Sequence, residues 1–115
     1  MKAIDLHAEL NALGIKFEPI GFVKAPAYPY GIYVDDAEIR QPDTDVGKRT
    51  VSHSVTIEVY HPDLDTLKTA AKVVDDWLNG YALNYTRRPR FVVDENHYCL
   101  TYSTQYTNKE RTESL

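Results

Sequence analysis

Residues Thr50–Gly80 read TVSHSVTIEVYHPDLDTLKTAAKVVDDWLNG, and the apolar period changes once within them. In the first half Val51, His53, Val55, Ile57 and Val59 fall on one side, with Thr50, Ser52, Ser54, Thr56 and Glu58 on the other. Successive strand side chains point to opposite faces, so this is a strand with one face on a core and the other on water or a partner. After His61-Pro62-Asp63 the spacing becomes helical: Leu64, Leu67, Ala70 or Ala71, Val74, Trp77 and Leu78 form a single stripe. Pro62 suits the first turn, where no backbone N–H is needed, and Asp63 and Asp65 complement the positive end of the helix. Asn79-Gly80 predict its end, since glycine takes the left-handed cap most readily.

Reading outward from that passage, Ala3, Leu6, Leu10 and Leu13 predict a short N-terminal helix closed by Gly14. Ile15–Val23 is apolar enough for a strand, but Pro19 and Gly21 restrict it to an edge. Tyr30-Gly31-Ile32-Tyr33-Val34 predicts a strand with Tyr30, Ile32 and Val34 on one face. From Asp35 to Arg49 the composition turns polar and charged, with Pro42 and Gly47, which predicts a long hairpin connection. Tyr85–Val93 and Tyr98–Tyr106 predict a closing hairpin about the turn Asp94-Glu95-Asn96, with Pro89 placing the first of these strands at an edge or bulge. The polar stretch 107–115 reads as a disordered tail.

Strands and helices that do not alternate regularly imply an α+β domain. The expectation is a mostly antiparallel sheet of four or five strands with both helices on one face, in the order α-β-β-β-α-β-β. The 115 residues suffice for one core and not two, so residues 1–106 are expected to form one domain.

A net charge of −4 argues against a general nucleic-acid binder, which needs a dominant basic surface. With one cysteine, Cys99, no intrachain disulfide can form, and a reducing compartment is expected. No apolar run approaches the ~20 residues of a membrane span, and the N-terminus shows no apolar signal region, so a cytosolic product is expected. Nine tyrosines suit half-buried sheet faces and interfaces.

The chain carries no recognised catalytic, cofactor or metal signature. His7, His53, His61 and His97 include no helical ligand pair, and Cys99 has no second thiol to join it. Asp35-Asp36, Asp63-x-Asp65 and Asp75-Asp76 read as solvated surface acids, because paired carboxylates act as acid and base only where they converge on a cleft. Ser52 and Ser54 lack the Gly-x-Ser-x-Gly context, and no phosphate-binding glycine loop occurs. Arg87-Arg88-Pro89-Arg90 is the densest basic stretch. It reads either as an edge strand guarded by charge and proline, or as the counterpart of acidic residues on a neighbouring subunit.

The aromatic-proline opening Ala27–Val34, the strand His53–Tyr60 running into the helix Asp63–Leu78, and the hairpin through Val92-Val93-Asp94-Glu95 and Tyr98–Tyr102 resemble one known family. It is that of the tail-terminator and tail-completion (head–tail joining) proteins of long-tailed bacteriophages. The resemblance follows element order over roughly nine-tenths of the chain, and the family has no invariant catalytic motif. It implies a structural, non-enzymatic role without cofactor: a homohexameric ring at the head–tail interface of the virion, assembled in the host cytoplasm. The implied partners are the tail-tube protein, the head connector and DNA passing through the lumen, with no membrane contact. The residues expected in ring or partner contacts are Asp35, Asp36, Asp43, Asp45, Lys48 and Arg49 on the polar connection, and Arg87, Arg88 and Arg90 on the basic strand. Two other classes stay open. One is a small α+β enzyme or ligand-binding domain using His53, Glu58 and His97; the other is a nucleic-acid accessory protein using the three arginines.

Overall fold

The strand-to-helix passage forms as its two periods dictate, and the rest of the fold is built against it. The computed structural model describes residues 4–19, 21–22, 24–42 and 48–111, with side chains except at 39–42, 48–49 and 109–111. The elements run α1 (Leu6–Asn11), β1 (Lys16–Pro19), β2 (Tyr30–Pro42), β3 (Lys48–His61), α2 (Leu64–Gly80), β4 (Tyr85–Val92) and β5 (His97–Arg111). This is the α+β order expected.

The five strands form one sheet in the order β1-β2-β3-β5-β4. The β2–β3, β3–β5 and β4–β5 pairs are antiparallel, whereas β1 lies parallel to β2. The sheet is therefore mixed, with β1 and β2 starting at the same end of it. Both helices bury their stripes on the same sheet face. Leu6 and Leu10 of α1 and Leu67, Ala71, Val74 and Leu78 of α2 share one core with Phe17, Tyr33, Val55, Ile57, Val59, Leu100 and Tyr102. On the open face a smaller cluster of Tyr30, Tyr60 and Cys99 is packed by Phe22, Ile32 and Val92.

Two asparagine side chains hold the N-terminal part in place. Asn11 accepts from the Phe17 N–H at 2.9 Å and donates to the Phe17 carbonyl at 3.2 Å, tying β1 to the end of α1. Asn108 does the same for Ile4, accepting at 3.2 Å and donating at 3.3 Å. Glu9 joins the helices, accepting from Trp77 Nε1 at 3.2 Å and from the Tyr81 hydroxyl.

Three local expectations need correction. The stretch read as a loop, 35–49, is largely strand: β2 continues to Pro42 and β3 begins at Lys48. Its polar residues misled because Asp36 and Glu38 occupy the open face, opposite Ser54 and Ser52, where no apolar alternation is required. The stretch read as a tail also joins the sheet, since β5 runs to Arg111 and pairs with β3 down to Lys48. Residues 112–115 lie outside those described. Finally, Gly80 is the last helical residue rather than the left-handed cap. Ala82 takes that conformation (φ 56°), and the Leu83 N–H closes the helix on the Leu78 carbonyl at 3.0 Å.

Candidate interaction surfaces

The open face of the sheet carries several of the polar residues singled out in the sequence, Asp36, Glu58, Arg88 and Arg90 among them, because strand register assigns them to it. Across the strands the rows read Arg90-Cys99-Tyr60-Tyr30, Arg88-Thr101-Glu58-Ile32, Thr86-Ser103-Thr56-Val34, Gln105-Ser54-Asp36 and Thr107-Ser52-Glu38. The acids Asp36 and Glu38 stand on β2, and the arginines stand on β4. Three inter-strand steps of about 4.8 Å separate the two, or roughly 14 Å. The middle of the face is a field of serine and threonine hydroxyls.

The three arginines have different surroundings. Arg87 points to the helix side, where its Nη1 donates to Asp75 Oδ2 of α2 at 2.7 Å. Arg90 lies on the open face and donates from Nη2 to Glu58 Oε2 at 2.9 Å. Glu58 also accepts from Cys99 Sγ and Thr101 Oγ1, both at 3.4 Å. Burial alone would raise the Glu58 pKa, but hydrogen bonds from Arg90, Cys99 and Tyr60 and the Arg90 charge together hold it below the usual carboxylate range. Burial pushes the Cys99 thiol up to about 11, against the Thr101 hydrogen bond, so it stays a neutral thiol at physiological pH. Arg88, exposed between its two neighbours, has no ion-pair partner among the described residues.

The acidic residues divide similarly. Asp35 points to the helix side and bonds His53 Nδ1 at 2.8 and 3.0 Å, while the His53 ring stacks on Tyr106 with centroids 4.8 Å apart. Asp36 is exposed on the open face. Asp43 and Asp45 lie outside the described residues. Lys48 and Arg49 belong to the backbone of β3, paired with Arg111 and Glu110 of β5. Of the six contact residues expected on the polar connection, the structure thus leaves Asp36 as the described acid that is both exposed and on the open face, and it assigns Asp35 a partner within its own chain.

His53, Glu58 and His97 do not converge. His53 shares the core face with Val55 and Ile57, whereas Glu58 and His97 lie on the opposite side of the sheet. His97, 2% exposed, sits against Tyr60 and hydrogen-bonds the Tyr28 hydroxyl at 3.0 Å. Burial lowers its pKa, and nearby Glu95 only partly offsets that. His7 and His53 instead both line a recess of about 430 Å³, together with Tyr33 and Asp35. There the Tyr33 hydroxyl meets His7 Nδ1 at 2.7 Å. Burial, then Glu18, Asp35 and Asp5, raise the Tyr33 pKa, so this hydroxyl keeps its proton. Sequence reasoning missed this recess because His7 and His53 belong to elements joined only by tertiary packing. Among the described residues no group of three or more His, Cys, Asp or Glu is placed to hold a metal ion, and no helix is long and apolar enough to cross a membrane. Compared with known proteins, the chain matches no protein-family model and no curated sequence.

Proposed function

We propose that this protein is a structural, non-enzymatic assembly unit of the tail-terminator or head–tail joining kind. It would act by forming a ring, expected to be hexameric, that ends a phage tail tube and receives the head connector. The observation that carries the reading is the segregation of charge across the open face. Asp36 and Glu38 flank one side of the sheet, and Arg88 stands on the other without an ion-pair partner among the described residues. Opposite charges on opposite sides of one subunit suit head-to-tail contacts, and head-to-tail contacts close into rings when the rotation permits. The element order is also what the resemblance implies. Arg87 and Arg90 are less suited to intersubunit pairing than their neighbour, because their guanidinium groups are already held by Asp75 and Glu58.

Light scattering coupled to size exclusion, with the protein alone and then with purified tail tubes, tests the proposal. A ring of defined mass in either setting supports it. Arg88→Glu is expected to weaken self-association at least tenfold and leave the melting temperature unchanged, because the side chain is exposed. Association unchanged by this reversal removes Arg88 from the contact, and a monomer indifferent to tubes removes the ring.

A second reading has its own observation, the recess shared by the Asp35–His53 and Tyr33–His7 pairs. A carboxylate beside an imidazole can orient it toward a small polar ligand. Saturable chemical-shift changes confined to His7 and His53 during a ligand screen would favour this reading over the ring.

A further inference from the structure

The two sides of the sheet are not equally protected against added strands. On one side the outer edge of β4 is blocked by Pro89, which offers no N–H, and flanked by Arg87, Arg88 and Arg90, a common defence against pairing. That defence stops early. β4 begins at Tyr85 opposite Thr104, and β5 continues for Gln105–Arg111 with β3 on one side and no strand on the other among the described residues. This exposed length contains no proline, and its register with β3 is unbroken. At its start is a recess of about 680 Å³ whose lining includes uncharged Asn84, Thr86, Ser103 and Gln105. On the far side, β1 covers β2 only from Tyr30 to Tyr33, leaving the outer edge from Val34 to Pro42 with no strand among the described residues.

These two edges match each other. They lie at the same level of the sheet, because Asp36 and Glu38 share rows with Gln105 and Thr107. They run in the same direction, since both strands are antiparallel to β3. Their formal charges are opposite: residues 34–42 hold Asp35, Asp36 and Glu38 against Arg40, a net of −2, and residues 105–111 hold Lys109 and Arg111 against Glu110, a net of +1.

We propose that the outer edge of β2, residues 34–41, in one copy adds as a parallel strand to the outer edge of β5, residues 105–111, in the next, so that the sheet continues from subunit to subunit. The occupant is a second copy of this chain, and the inference rests on the self-assembly reading above. Pairing β2 with β2 would set three acids against three acids, which cross-strand electrostatics disfavours. Pairing β2 with β5 is heterologous and keeps all strands in one direction, as rotation about an axis along the strands requires. Each added strand also satisfies backbone groups that an uncovered edge leaves to water.

Cysteine cross-linking on the full chain tests it, using Asp36→Cys and Gln105→Cys, which share a row and lie on the open face. Native Cys99 is fully buried and stays silent. Glu38→Cys and Thr107→Cys repeat the experiment one row along, and the crossed pairs Asp36→Cys with Thr107→Cys and Glu38→Cys with Gln105→Cys cover a shift of register. Each protein is oxidised at high concentration under light scattering. The expected result is covalent dimers when an Asp36→Cys protein is mixed with a Gln105→Cys protein, a ladder ending at the ring from the double variant, and none from either single variant alone. Dimers from Gln105→Cys alone, or from Asp36→Cys alone, would show a two-fold contact and overturn the proposal. A ring that forms while every mixed pair stays uncross-linked overturns this edge pairing and leaves the assembly reading intact. A chain that stays monomeric at all concentrations and on tail tubes defeats both.

Discussion

Gly31 is a position where a single methyl group should be felt through the whole fold. A Cβ built there would stand 2.2 Å from Phe17 Cε1, 2.5 Å from Phe17 Cδ1 and 2.9 Å from the Glu58 carbonyl oxygen. Carbon atoms pack at about 3.5–4.0 Å, so the ring would have to retreat by roughly 1.3 Å or more. Phe17 has no exposed surface into which to move. Overpacking of this kind costs roughly 1–3 kcal/mol, and full expulsion of the ring would approach the 3–5 kcal/mol typical of a lost core phenylalanine. β1 has four residues and pairs with β2 alone, so it can shift but has little to hold it once shifted. Gly31→Ala is therefore expected to cost about 3 kcal/mol, or a fall in melting temperature of roughly 12–24 °C for a domain of this size. Urea unfolding followed by Trp77 fluorescence and far-UV circular dichroism measures it. The control is Phe17→Leu, which shortens the obstructing ring; combined with Gly31→Ala it should show a favourable coupling of about 1–2 kcal/mol. A Gly31→Ala cost under about 1 kcal/mol, or strict additivity with Phe17→Leu, would refute the packing of this ring on this glycine.

Four other predictions address the end of α2, the N-terminal clamp and pH. Gly80 lies within α2, and a methyl group added there would meet nothing within 4 Å, so Gly80→Ala should stabilise by about 1 kcal/mol; a loss would mean that Gly80 serves as the left-handed cap after all. Ala82 does occupy that conformation, and Ala82→Gly should relieve about 1 kcal/mol of backbone strain, read as a raised urea midpoint at unchanged slope. Asn11→Ala removes both side-chain bonds to the Phe17 backbone and should cost about 2 kcal/mol, with faster hydrogen exchange in β1; exchange there that does not change would count against the clamp. Burial holds the folded His97 pKa below its unfolded value, so the unfolded chain takes up the proton first. Its contribution is intact above pH ~6.5 and is lost as pH falls toward the folded pKa, with a slope of at most about 1.4 kcal/mol per pH unit. His97→Gln should flatten stability between pH 7 and 5.5 relative to the parent, and an identical slope would refute the assignment.

What the sequence determined by itself is the set of features that depend on near neighbours in the chain. The period-two run of β3 and the period-3.6 run of α2 are visible because burial on one face dictates residue type at fixed spacing, whereas the Asp63 cap, with Pro62 before it rather than in the first turn, was not. Element order and α+β class followed from the same signals. The ends of β2 and β5 were not legible, because exposed polar strands are specified by partners across the sheet rather than by their own alternation. The candidate site was legible only in part. The charged residues were visible as a list, but register decides that Arg87 turns to Asp75, Arg90 to Glu58 and Asp35 to His53, while Asp36 and Arg88 remain on the open face. A shift of one residue in pairing exchanges the faces of every side chain in a strand. Which charges are already paired and which face outward is therefore a property of tertiary structure, set by contacts between residues far apart in sequence.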